Sequence, residues 1–152
     1  MGGVNVKEEI TLRVAKPEDI EFLFSLLKVA LGPYVEQTYG AWHEAEQHAR
    51  FLAGTQPETH QVVELDGQPI GCLDVEWLPD QVKLNRLFLQ PAVQGRGIGS
   101  RLVQQVLAAA RAAHLPVRLR VFKVNPAQHF WQRLGFSVVG ETETHCLMEH
   151  AA

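Results

Sequence analysis

The stretch Gln94-Gly95-Arg96-Gly97-Ile98-Gly99-Ser100 constrains this chain more than any other. It lies between a run with strand character, Val82–Leu89, and the most regular helical pattern in the sequence, Gly99–Ala113. The apolar positions Leu102, Val103, Val106, Leu107 and Ala110 form a single stripe on that helix. Glycines between a strand and a helix adopt backbone angles closed to other residues and keep side chains away. Successive backbone N–H groups then converge, and the open first turn and dipole of the helix add to them. Arg96 and Arg101 bring positive charge nearby. The chemistry implied is a bound phosphate or pyrophosphate.

The spacing separates this loop from other glycine loops. A dinucleotide fold uses Gly-x-Gly-x-x-Gly after the first strand, with an acid about 20 residues on. Here the spacing is Gly-x-Gly-x-Gly, the loop lies past mid-chain, and the region downstream, 118–123, is basic. The Gly-Lys-Ser/Thr of a P-loop is absent. A bare strand-to-helix turn needs fewer glycines than the three at 95, 97 and 99.

The rest of the chain reads as alternating strands and helices. Thr11–Ala15 alternates as a first strand, and Pro17-Glu18-Asp19 opens a helix carrying Ile20, Leu23, Phe24, Leu27 and Leu31. Gly32-Pro33 is expected to end it. A second helix is expected over about 41–52. Gln61–Leu65 and Ile70–Trp77 flank Asp66-Gly67 as a hairpin. Pro116–Val124 is a strand with Val117, Leu119 and Val121 on one face and Arg118 and Arg120 on the other. Asn125-Pro126 opens a short helix ending at Gly135, and Phe136–Val139 and Thr144–Met148 close the chain. The order is β-α-α-β-β-β-α-β-α-β-β, an α/β (α+β) fold around a mixed sheet, with residues 1–152 expected as one domain.

Composition narrows the class. Of 152 residues, 46% are hydrophobic and 20% charged, which is globular and not disordered. Two cysteines, Cys72 and Cys146, are too few for a disulfide scaffold or a four-thiolate zinc site, and no histidine spacing suggests a metal. They read as buried strand residues. A net charge of −3 argues against a nucleic-acid binder. Residues 1–80 nevertheless carry five Lys/Arg against fourteen Asp/Glu, and residues 81–152 nine against three. Two differently charged surfaces are expected. The start Met1–Val6 has no apolar core, and Phe22–Leu31 is broken by Lys28 and too short for a bilayer. A cytoplasmic protein without membrane contact is the expectation.

The loop resembles the acyl-CoA signature of the GCN5-related N-acetyltransferase (GNAT) family, Gln/Arg-x-x-Gly-x-Gly/Ala, through Gln94, Gly97 and Gly99. Leu87-Phe88-Leu89-Gln90-Pro91 is similar to that family's preceding strand, and Asn125-Pro126-Ala127 through Phe130-Trp131-Gln132-Arg133-Leu134-Gly135-Phe136 to its second cofactor segment. The start Arg13–Asp19 also fits, so the resemblance spans about residues 10–149. It implies a GNAT-like domain with a sheet splayed open after the strand ending near Leu89. Acetyl-CoA is the implied cosubstrate. Leu87, Phe88 and Leu89 would offer that strand to the pantetheine, with the backbone of Leu87 and Leu89 pairing to its amides. The amides of Gln94, Gly95, Arg96, Gly97, Ile98, Gly99 and Ser100 would hold the pyrophosphate. Asn125 would contact the pantetheine arm, and Trp131 would pack along it or fill the core. A backbone N–H near Leu89 would polarise the thioester carbonyl.

The chain departs from the family at two points. Trp131 stands where many members have a tyrosine that protonates the departing thiolate, and an indole cannot do this. Lys83 and Asn85 stand where many have an acid. Candidates for the missing acid are Tyr34, Tyr39 and His145; candidates for the base are Glu76 and His145. Tyr34, Tyr39 and Trp42, in an aromatic and acidic segment, are expected to wall the acceptor, though Tyr39 and Trp42 also fit plain helix packing. The acidic half suggests a cationic amine. The expected activity is N-acetylation of a small-molecule or peptide amine. The alternative is a non-catalytic acyl-CoA sensor, and a homodimer is an open possibility.

Overall fold

A computed structural model describes residues 9–152, so the opening segment read for export signals lies outside the described residues. Seven strands form one sheet in the order β1-β2-β3-β4-β5-β7-β6. They are β1 (Ile10–Val14), β2 (Gln61–Leu65), β3 (Gln68–Trp77), β4 (Val82–Leu89), β5 (Val117–Phe122), β6 (Ser137–Glu141) and β7 (His145–His150). The helices are α1 (Ile20–Tyr39), α2 (Glu44–Gly54), α3 (Ile98–Ala112) and α4 (Gln128–Arg133). Only β4 and β5 run parallel; every other neighbouring pair is antiparallel. The mixed sheet flanked by helices is the architecture expected.

Helices cover both faces. The alternation Val62-Val63 sends one side chain to each, and both are wholly buried. Val63, Leu73, Val82, Leu84, Val117 and Leu119 pack with the α3 stripe Leu102, Val103, Val106, Leu107 and Ala110. On the opposite face Val62 and Cys72 pack with Leu23, Phe24 and Leu26 of α1 and Phe51 of α2. Each buried Val or Leu side chain is worth about 1.5–3 kcal/mol. Arg13 ties the α1 entrance to the sheet, pairing through two nitrogens with Asp19 at 2.8 and 3.0 Å and through Nε with Glu64 at 3.1 Å. That pairing holds the Asp19 carboxyl below the usual carboxylate range.

The hairpin turn follows its sequence, with Asp66 at φ +51° and Gly67 at +82°. The end of α1 does not. The helix runs through Gly32-Pro33 to Tyr39. Proline removes one N–H from the ladder, but the remaining bonds carry the helix on. Gly32 is buried against Trp42, whose ring a Cβ at Gly32 would approach to 3.9 Å.

Two irregularities shape the middle of the sheet. The β3–β4 register steps from Asp74↔Arg86 to Val75↔Leu84, leaving Asn85 as an extra residue on β4. Asn85 and Arg86 therefore face the same way, while Leu84 and Leu87 both reach the α3 side. At Gly71, opposite Leu89, a Cβ would come within 2.3 Å of the Phe88 carbonyl oxygen. Gly71→Ala is expected to destabilise the protein by about 1–3 kcal/mol through this overpacking. Thermal unfolding checks it, with a lowered midpoint as the expected result.

Candidate active site

The parallel ladder between β4 and β5 is very short. It holds Val82↔Val117 and Lys83↔Arg118 and no further residue pair. Beyond Lys83 the strands part around a cleft of about 1570 Å³. Ligand pockets commonly measure about 300–1,000 Å³, so there is room for two substrates. Along β4, Gln90 N–H donates to Ile70 O on the β3 side at 2.8 Å. Alternation then turns the backbone groups of Leu87 and Leu89 away from β3, toward the gap. The Leu89 carbonyl agrees, because it accepts Gln94 Nε2 at 3.0 Å from the loop beyond. A strand edge is thus open inside a sheet, ready for an extended partner.

The glycine loop closes the far end. Buried Val93 and Ile98 anchor it at both sides. Gly95 and Gly97 have φ of +79° and +78°, and a Cβ on either would meet nothing within 4 Å. Gly97 is the N-cap of α3, and no side chain caps the helix. The Arg101 N–H donates to Gly97 O at 3.1 Å, leaving Ile98, Gly99 and Ser100 as first-turn amides. The space beside Gly95 and Gly97 is open, while Gly99 packs toward Phe130 and Leu89; the α3 dipole points its positive end toward the loop.

Of the sequence candidates, Leu87, Phe88, Gln94, Asn125, Trp131, Tyr34, Tyr39 and His145 line the cleft. Leu89 and Gly95–Ser100 are not among its lining residues; they adjoin it through Gln94, whose Nε2 donates to the Leu89 carbonyl. Asn125 Oδ1 accepts the Ala127 N–H at 2.8 Å and so fixes the entry to α4. Trp131 is both core and wall: it is buried, packs edge-on to Phe136 and lines the cleft. Tyr39 is exposed and edge-on to Phe122. His145 stacks 4.2 Å from Phe122, and its Nδ1 is 2.7 Å from Thr144 Oγ1. Burial, and then the Arg120 charge, push His145 below the ordinary imidazole value.

Two candidates stand apart. Trp42 packs against Phe24, and its indole N–H donates to Glu44 at 2.7 Å, the helix-packing role. Glu76 lies exposed near the end of β3, with Asn85 Nδ2 3.4 Å from its Oε1, and does not line the cleft.

Sequence reading missed a buried polar group on the α1–α2 side. His60, 3% exposed, accepts Arg86 Nη1 on its Nε2 at 3.0 Å. A guanidinium only donates, so the His60 proton is on Nδ1, which faces the Gln56 carbonyl at 3.2 Å. Burial lowers its pKa, in keeping with a neutral ring. Asp74 lies 3.7 Å from the same Nε2. Arg86 also lies over the Phe51 ring at 5.3 Å. The register step at Asn85 alone turns Arg86 to this face, and no spacing in the sequence announces it.

The charge of the cleft also differs from expectation. Its ionised lining is Lys83, Arg86, Arg118 and Arg120 against Asp74 and Glu149. The acids of the segment after α1, Glu44 and Glu46, lie outside it, because that segment turns toward Phe24 and Lys28. Both cysteines are buried, and burial pushes the Cys72 thiol up to about 12. Among the described residues no cluster of three metal-ligating side chains occurs and no helix is long and apolar enough to cross a membrane.

The site combines a strand edge open inside the sheet with an uncapped helix start behind a glycine loop. The family model described as Acetyltransferase (GNAT) family matches residues 23–136, and the chain belongs to that family. It is 26% identical over 141 residues to an uncharacterized N-acetyltransferase of Methanocaldococcus jannaschii, an alignment covering 87% of this chain and 62% of that protein. Among solved structures it resembles the PaiA N-acetyltransferase of Thermoplasma acidophilum in complex with coenzyme A. The TM-score is 0.74 at 20% identity, with 95% of this chain and 99% of that one covered. It also resembles Arabidopsis thaliana Naa50 bound to a bisubstrate analogue, at TM-score 0.64 and 16% identity, with 94% and 99% covered.

Cys72 should resist iodoacetamide in the folded protein at mildly alkaline pH and react once unfolded. Mass spectrometry of the alkylated protein checks this; rapid native labelling would contradict the burial.

Proposed function

We propose that this protein is an acetyl-CoA-dependent N-acetyltransferase acting on a primary amine of a small molecule or peptide. The observation that carries the reading is the interrupted β4–β5 ladder, whose free edge at Leu87 and Leu89 leads to the first-turn amides of α3. Pantetheine has two amides in an extended arm, and such an arm can replace a missing strand. The pyrophosphate would rest on the N–H groups of Gly95–Ser100, with Asn125 and Trp131 beside the arm. The coenzyme A bound to the Thermoplasma relative supports this assignment.

The amine nitrogen attacks the thioester carbonyl carbon, a main-chain N–H of the Leu87–Leu89 stretch polarises the carbonyl oxygen, and the carbon–sulfur bond breaks. His145 takes the amine proton: its Nδ1 is 2.7 Å from Thr144 Oγ1, and the neutral tautomer that carries its proton on Nδ1 leaves the Nε2 lone pair for the amine. Its lowered pKa keeps that lone pair available into mildly acidic solution. The thiolate leaves and takes a proton from the Tyr34 phenol or from water; a thiol pKa near ~8.5 makes it a fair leaving group unaided. Glu76, outside the cleft, would act only through water. No enzyme thiol takes part.

The missing tyrosine at Trp131 favours a second reading, a sensor that binds acyl-CoA without turnover. Thiol release in a screen of amines separates the two.

Gly97→Glu should abolish acetyl-CoA binding in calorimetry, since it puts a carboxylate at the phosphate cradle and a side chain at φ +78°; unchanged affinity would refute the cradle. Because the base must be neutral, kcat should fall with pH only below the ordinary imidazole value. His145→Gln should remove that limb and lower kcat by about 10²–10⁴-fold. A pH–rate profile of both proteins checks it, and an unaltered limb would exclude His145.

A further inference from the structure

Of the four cations lining the cleft, Arg118 and Arg86 have side-chain hydrogen-bond partners and two others have none among the described residues. Arg118 is held by Glu149, Nε to Oε2 at 2.7 Å, and its Nη1 lies 3.4 Å from Gln81. Arg86 donates to His60 Nε2 at 3.0 Å and is paired in register with Asp74 on β3. Lys83 and Arg120 line the same cleft and make no ion pair with any described residue. They share one face of the sheet. Lys83 is the last β4 residue paired to β5, and Arg120 is two residues beyond its partner Arg118, where the strands have separated. Arg120 is close enough to His145 to depress its pKa.

Coenzyme A cannot neutralise them while the loop holds its pyrophosphate. Lys83 is six residues before Leu89 on β4, roughly 20 Å along the strand from the loop end. Two like charges at one end of a partly enclosed cleft repel each other and attract an oxyanion. His145 and the Tyr39 phenol lie against Phe122, two residues further along β5 than Arg120, and Tyr34 lines the same cleft.

We infer that the acceptor amine carries its own anionic oxyacid group, a carboxylate or a phosphate, which Lys83 and Arg120 bind while its amine meets the thioester beside His145. This rests on the acetyl-transfer reading above and narrows its substrate from amines in general to anionic amines. It replaces the cationic acceptor suggested by the acidic N-terminal half, because the acids of that half lie mostly outside the cleft.

The test is thiol release at saturating acetyl-CoA with matched acceptors: free amino acids against their α-amides, aminoalkyl phosphates against the amino alcohols, and spermidine as a cationic control. The anionic member of at least one pair should lead in kcat/KM by about tenfold or more, the worth of one charge-assisted hydrogen bond. Which pair leads distinguishes carboxylate from phosphate. Lys83→Gln with Arg120→Gln should bring that ratio near one; both side chains are exposed, and a general loss of structure would lower both members alike. Equal rates within every pair, a lead for spermidine, or a ratio untouched by the double substitution would overturn the inference and leave acetyl transfer standing. Silence with every acceptor while calorimetry still shows acetyl-CoA binding would overturn it in favour of the sensor. Failure to bind acetyl-CoA at all would remove the underlying reading as well.

Discussion

Everything functional in this molecule depends on a ladder that stops. β4 and β5 share two residue pairs and then part. Backbone N–H and C=O groups inside a protein need partners, and a strand edge exposed in mid-sheet is an invitation to an extended ligand. The rest of the sheet tolerates the break because it is anchored on either side. β3 and β4 pair over most of their length, β5 is paired with β7, and α3 packs beneath both halves through one apolar stripe. The glycine loop belongs to the same device. It joins the parted β4 to α3, so the free edge runs directly into the helix start.

The cleft has two chemically distinct ends. At the loop, main-chain amides and a helix dipole offer partial positive charge without a side chain in the way. At the point where the strands meet, lysine and arginine side chains supply full charges. His145, which also lines the cleft, is pushed below the ordinary imidazole value by partial burial and then by the neighbouring Arg120. In the proposed reaction, where His145 would be the base, that cation would offset the rise in pKa that bound anions cause.

Much of this was legible in the sequence. The left-handed backbone at Gly95 and Gly97, the α3 stripe and the Asp66-Gly67 turn each act locally, through backbone angles or helical period, and each is found in the structure. The match that shows GNAT membership spans residues 23–136, which include the segments that suggested it. What was not legible is tertiary. Pro33 looked like a helix end, yet the bonds beyond it carry α1 to Tyr39. The extra residue at Asn85 reverses the alternation of β4 and delivers Arg86 to His60; nothing in the order Lys83-Leu84-Asn85-Arg86 marks it. The insertion of β7 between β5 and β6 brings His145 beside Phe122 and into the cleft. Charge counted by halves of the chain does not give the lining of the cleft, where Lys83, Arg86, Arg118 and Arg120 stand against Asp74 and Glu149, because the sheet order, not the sequence order, decides which charges meet.

The central claim is that the acyl-CoA arm completes the sheet between β4 and β5. Amide hydrogen exchange, resolved by residue with and without acetyl-CoA, reads this directly. The account predicts slowed exchange at the Leu87 and Leu89 N–H groups together with Gly97–Ser100, and little change at Cys72 and Leu73 on the β3 side. Unchanged exchange at Leu87 and Leu89 at saturating acetyl-CoA would contradict it.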